Sequence, residues 1–206
     1  MKKTARIMRT QVVVIRDGRK DSGLHASSWG MAARLAPDGL ETARKVGASL
    51  VKMLKTCEVF GCSPVICAQE TLFAVMAEFG ILPGYYAIHV AFDPMFFTGT
   101  PETWYLDCAP GLYKNDRIYA LRPGEVEQEG KMVVEAAWQL SEFARDNNQP
   151  VAVAISHGGP LDAAIMMAKR ALGQPAAITD RKPGEGAVFV FGGGGKLVEV
   201  KDVLIA

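Results

Sequence analysis

With 206 residues and a formal net charge of +1, the chain is long enough for one substantial core and has no charge excess that would draw it to nucleic acid or a membrane surface. Its 49% apolar and 22% charged shares are those of an ordinary globular protein. The apolar run after the basic "MKKTARIMRT", Val12 to Ile15, is far shorter than a signal-peptide core of about seven to fifteen residues, and no run approaches the roughly twenty of a membrane span. The expectation is one cytoplasmic domain over residues 1–206, with no nucleic-acid or membrane partner and with a homo-oligomer left open.

A strand over 11–16, "QVVVIR", delivers Arg16, Asp17 and Gly18 into a polar loop. Leu40, Ala43, Val46, Leu50, Val51 and Leu54 then recur at helical spacing, predicting a helix over about 38–55 with Pro37 in its first turn. "VFGCSP" reads as a second strand. In "CAQETLFAVMAEFG" Leu72, Val75, Met76 and Phe79 mark a helix with Gly80 as its C-cap. "AIHVAF" reads as a third strand. Residues 93–124 are rich in Pro, Gly and aromatics without a clean period, which suggests an irregular segment covering a site.

The second half repeats this logic. Met132, Val133, Ala136, Ala137, Leu140 and Phe143 share one helical face within 125–146. "PVAVAISH" is a strand, and "PLDAAIMMAKRALG" a helix ending at Gly173. "GAVFVFGGGGKLVEVKDVLI" reads as two strands joined by a glycine turn; no helix follows the glycines, so a phosphate loop is the weaker reading. Strands alternating with helices predict an α/β fold: a three-layer α/β/α sandwich with a mainly parallel sheet and an antiparallel C-terminal edge.

Ligands of such sheets bind beyond the carboxyl ends of the strands. Two strands end in residues with chemistry, one in Arg16-Asp17-Gly18 and one in Ser156-His157-Gly158-Gly159, directly before a helix whose N-terminal N–H groups favour anions. Cys57, Cys62, Cys67 and Cys108 form no CxxC, and no histidine stands near them in sequence; reduced, partly buried thiols are expected, with no metal and no cofactor.

The order "VVVIRDG", "LAPDGLETA", "CSPVICAQETL", "VAVAISHGG" resembles the histidine phosphatase superfamily, also called phosphoglycerate mutase-like, over residues 11 to about 172. The resemblance implies that fold, a phosphohistidine formed on the His of an Arg-His-Gly motif, and two Arg and a second His gripping the phosphoryl group. Carried over, Arg16, Gly18, His157 and Gly158 fit the phosphate-binding positions, and Asp17 and His157 occupy the catalytic ones. Asp17 stands where the nucleophilic His belongs, Cys67 where the second Arg belongs, and Ala36 where a helix-capping Thr belongs. Asp93 and Glu102 are the candidates for the family's acid.

Asp17 is expected to pair with Arg16 or His157, and Arg19 and Lys20 to form a solvated basic turn unless the loop folds inward. His25 and His89, the other imidazoles, are expected to be structural or solvated. Two functions are open: a catalytically impaired binding or regulatory module whose pocket takes a small phosphorylated molecule or anion weakly, or another ligand; and an active phosphomonoesterase or mutase with a non-standard nucleophile.

Overall fold

The computed structural model describes residues 9–20, 34–82, 87–88, 92, 119–120 and 122–204. Among the described residues there are six strands, β1 (Thr10–Arg16), β2 (Val59–Cys62), β3 (Ala87–Ile88), β4 (Val151–Ser156), β5 (Gly186–Phe191) and β6 (Leu197–Val203). They form one sheet in the order β3-β2-β4-β1-β5-β6. β1, β2, β3 and β4 run parallel, while β5 lies antiparallel to β1 and β6 antiparallel to β5. This is the predicted α/β architecture, with the C-terminal hairpin as its antiparallel edge.

Helices cover both faces, which is why the central strands read as unbroken apolar runs. On one face Val13, Ile15, Val153, Ile155, Phe60 and Cys62 pack against helices α1 (Pro37–Leu54) and α2 (Ile66–Glu78). On the other, Val12, Val14, Ala152, Ala154 and Phe189 pack against α3 (Pro123–Asp146) and α4 (Gly158–Ala171). Alternate side chains of one strand thus feed two cores.

The helical stripes predict burial with one correction. In α3, Val133, Ala136, Ala137, Leu140 and Ala144 are buried, but Phe143 is 56% exposed. The 3.6-residue period carries the stripe to Ala144 and leaves Phe143 at its rim. Proline at N1 starts α3 at Pro123, so the irregular segment ends earlier than residue 124. Gly80 and Gly173, both at φ +72°, end α2 and α4 in the left-handed conformation expected of them. The predicted third strand is described only at Ala87–Ile88; the rest of it, apart from buried Phe92, lies outside the described residues.

Candidate functional site

Three parallel strands place three side chains at one edge of the sheet. β1, β2 and β4 stop within one residue of each other, with Arg16 opposite Ser156 and Cys62 opposite Ile155. Asp17, Ser63 and His157 are each the first residue past a strand end. The backbone continues the ladder by one step: Asp17 N–H donates to the Ser156 carbonyl at 2.9 Å, and Ser63 N–H to the Ile155 carbonyl at 3.0 Å. His157 is also the extended N-cap of α4, but its side chain makes no cap bond.

The ring of His157 lies between two partners. Its Nδ1 is 3.0 Å from Asp17 Oδ2 and its Nε2 is 2.8 Å from Ser63 Oγ. The Cys67 thiol, in the first turn of α2, donates to the same Asp17 Oδ2 at 3.0 Å. Ser63 Oγ in turn accepts the Val65 N–H at 3.2 Å. Asp17, His157, Ser63 and Cys67 are all buried. Burial by itself pushes the Asp17 carboxyl up, but the charge and hydrogen bond of His157, with help from Lys20 and the Cys67 thiol, outweigh it and hold the group well below the usual carboxylate range. Burial and the adjacent carboxylate push the Cys67 thiol far up, so it is a thiol in this pocket. Burial likewise raises Cys57 and Cys62 to about 12, as expected of core thiols.

The loop after β1 is clamped from below. Gly18 N–H donates to Thr71 Oγ1 at 3.1 Å, and that hydroxyl donates to the Cys67 carbonyl at 2.8 Å. A Cβ on Gly18 would come 2.6 Å from the Gly39 carbonyl oxygen, and one on Gly39 would come 2.2 Å from the Arg19 carbonyl oxygen. Neither glycine tolerates a side chain, because two backbones meet there. The basic residues of the loop divide. Arg19 pairs with Asp38 at 2.6 Å in solvent, as a basic turn should, whereas Lys20 Nζ turns inward to 3.9 Å from Asp17 Oδ2.

Arg16 takes a different direction. By strand alternation it belongs with Val12 and Val14 on the α3/α4 side. Its guanidinium lies across Gly158, where a Cβ would come 2.7 Å from Cζ, and donates to the Arg181 carbonyl. Arg181 is itself fixed by buried Asp162 at 2.6 Å. Burial pushes the Asp162 carboxyl up to about 6, against the pull of the Arg181 hydrogen bond and charge.

The structure therefore brings Asp17 and His157 into contact, sets Gly18 beside them and places Gly158 under Arg16. Of the two partners expected for Asp17, it is His157 that meets the carboxylate. Asp93, Glu102, His25, His89 and Cys108 lie outside the described residues. Sequence spacing keeps every cysteine away from a histidine, yet the fold closes that gap: Asp17, Cys67 and His157 each offer a ligand-type atom, all within 4.8 Å of one another. Ser63 is a site residue that motif reading passes over. The available signal was positional, since it follows β2 as Asp17 follows β1 and His157 follows β4.

Several solved structures share this fold at low sequence identity. Phosphoglycerate mutase from Bacillus anthracis str. Sterne superposes with a TM-score of 0.60 and 15% identity, covering 96% of this chain and 93% of that one. The mycobacterial glucosyl-3-phosphoglycerate phosphatase in complex with VO3 gives 0.55 and 14%, covering 95% and 98%. The α-ribazole phosphatase from Shigella flexneri gives 0.51 and 14%, covering 91% and 93%. No family model and no curated protein matches the sequence. The chain shares the fold of these phosphoglycerate mutase-like structures.

Proposed function

We propose that this chain is a phosphatase-fold protein that has lost phosphohistidine chemistry and acts as a binding or regulatory module. One observation carries the reading: a buried carboxylate, Asp17, stands in contact with His157 and Cys67 where the resemblance calls for a nucleophilic imidazole and a second arginine. A carboxylate about 4 Å from a phosphate charge is unfavourable by roughly 4 kcal/mol at an effective dielectric near 20, as much as one arginine contact returns. Anion affinity then rests on Arg16 and the N–H groups opening α4, so a small phosphorylated molecule or anion binds weakly. The free, buried thiols of Cys57, Cys62 and Cys67 suit a reducing compartment, and we place this work in the cytoplasm.

The test is turnover of p-nitrophenyl phosphate by the full chain, beside a vanadate titration. Activity near background and weak vanadate binding are expected. Robust turnover that disappears in Asp17→Ala would overturn the reading and make Asp17 a working catalytic group.

A second reading, an active phosphomonoesterase with a non-standard nucleophile, is favoured by the line from Ser63 Oγ through His157 to Asp17, at 2.8 and 3.0 Å. Hydroxyl, imidazole and carboxylate in that order can activate the hydroxyl. Against it, Ser63 has 0% exposure and its oxygen already accepts the Val65 N–H. Turnover abolished by Ser63→Ala would decide for this reading.

A further inference from the structure

Two of the positions that depart from the phosphatase pattern, Asp17 and Cys67, touch each other, and with His157 they bring an oxygen, a sulfur and a nitrogen within 4.8 Å of one another. We propose that Asp17, Cys67 and His157 form a binding centre for a divalent transition-metal ion of the zinc class. The proposal rests on the reading that the pocket no longer transfers phosphate, and it names the ligand the pocket takes instead.

The geometry is close to what such an ion needs. Asp17 Oδ2 is 3.0 Å from both His157 Nδ1 and Cys67 Sγ, and all three atoms lie within 4.8 Å of one another. Tetrahedral zinc with bonds of about 2.0 to 2.3 Å sets its ligands roughly 3.3 to 3.7 Å apart, so the two 3.0 Å separations must open by several tenths of an ångström and the His157–Cys67 separation must close by at most about 1 Å to admit the ion. The ligands come from the end of β1, the first turn of α2 and the end of β4, so the fold itself holds them together. Ser63 Oγ on Nε2 supplies the outer partner that a ligating histidine needs to keep Nδ1 aimed inward. Thr71 ties the Gly18 N–H to the Cys67 carbonyl and so braces two of the three ligand-bearing segments.

Charge and softness agree with the geometry. On binding, the Cys67 thiol and the His157 Nδ1–H that faces Asp17 each give a proton to solvent, and the thiolate and the Asp17 carboxylate together cancel the two positive charges, leaving a neutral buried centre around an imidazole whose Nε2–H donates to Ser63 Oγ. Thiolate, imidazole and carboxylate select zinc-like ions over magnesium or calcium, which prefer oxygen throughout. The opposing charge is Lys20, with Nζ 3.9 Å from Asp17 Oδ2 and a side chain 32% exposed, whose long stem can carry the ammonium toward solvent. Arg16 lies across Gly158 against the Arg181 carbonyl. Three protein ligands leave a fourth position for water or a bound molecule.

The test is a cobalt(II) titration of the full chain after chelator stripping, read by optical absorption. We expect one equivalent to bind, with a thiolate-to-cobalt charge-transfer band that zinc abolishes by displacement. Cys67→Ser should remove that band and Cys57→Ala, at a core thiol outside the pocket, should keep it. Ser63→Ala should weaken binding by about 10- to 100-fold. The wild-type band and its loss on adding zinc do not depend on any variant folding. Absence of the band in wild type, or its survival in folded Cys67→Ser, overturns the metal centre. A cobalt-silent chain that is also inactive on p-nitrophenyl phosphate sinks the metal centre alone. Turnover by the metal-free chain sinks the underlying reading as well.

Discussion

Removing the Ser63 hydroxyl would strip a buried imidazole nitrogen and the Val65 N–H of one shared partner. A buried polar group left without its bond costs about 1–3 kcal/mol, so Ser63→Ala should lower unfolding free energy by that amount in urea titrations, without any change in the strand ladder. Asp162 makes a second residue-scale prediction, through pH. Its carboxyl sits at about 6 in the folded chain against an ordinary 3.8, so between those values the native state holds a proton that the unfolded chain has lost. Stability contributed by this group is therefore complete below about pH 4 and is lost as pH rises through 6, a difference on the order of 2–3 kcal/mol. Asp17 has the opposite sign, because a depressed carboxyl stabilises above its unfolded value and fails only in stronger acid. Urea midpoints at several pH values should show the loss between 4 and 6 in wild type, and a flatter profile in Asp162→Asn. An unchanged slope in that variant would rule out Asp162 as its source.

Helix contacts are set by small residues where two backbones approach. Gly130 of α3 faces α4 so closely that a Cβ would come 2.8 Å from the Ala163 carbonyl carbon and 2.9 Å from its oxygen. Backbone cannot swing aside as a side chain would, so Gly130→Ala should part the helices at a cost of about 1–3 kcal/mol. The gain in helix propensity, about 1 kcal/mol, does not offset the upper part of that range. A thermal melt showing Gly130→Ala as stable as wild type would mean the crossing gives way more easily than its geometry indicates. Ala36 works in the other direction. It is the N-cap of α1 in extended conformation with no side-chain cap bond, so Ala36→Ser should add about 0.5–2 kcal/mol if its hydroxyl reaches the Gly39 N–H. Element types were legible in the sequence because the apolar periods are long and the punctuation is strong: Pro37 opens α1, and Gly80 and Gly173 close α2 and α4. The glycine at 130 was illegible, since a helix-interior glycine announces no partner until the crossing is known. Phe143 misled for a related reason, because period alone cannot tell the centre of a stripe from its rim.

Across the whole molecule the fold serves the site by bringing three parallel strands to a common edge, and this explains which parts of the site could be read in advance. Asp17 and His157 stood out because each follows an apolar strand and precedes glycine, and their contact follows from β1 and β4 being neighbours. The roles of Ser63 and Cys67 were hidden, because they depend on β2 lying on the far side of β4 and on α2 turning back over the strand ends. Arg16 ends β1, as the apolar run predicts, but its side-chain direction depends on alternation between the two faces and on the distant Arg181 carbonyl. The frame matches that of phosphoglycerate mutase over 96% of the chain, so the proposed loss of phosphohistidine chemistry can be tested by introducing two side chains on it. Asp17→His supplies a nitrogen nucleophile and removes the carboxylate's repulsion, yet leaves a transferring phosphoryl group without its second arginine. Cys67→Arg supplies that cation, yet buries it beside a carboxylate with nothing able to attack. Charge stabilisation and a nucleophile act as a unit, so each single change should leave turnover of p-nitrophenyl phosphate near background, while the double variant rises measurably above it. Both substitutions enlarge a side chain in a packed pocket, Cys67 having 0% exposure, so circular dichroism and a cooperative melt must accompany the assay. A folded double variant that stays inactive across a broad phosphoester panel would show that the divergence extends past these two positions, with the guanidinium of Arg16, held at the Arg181 carbonyl, as the next group to release.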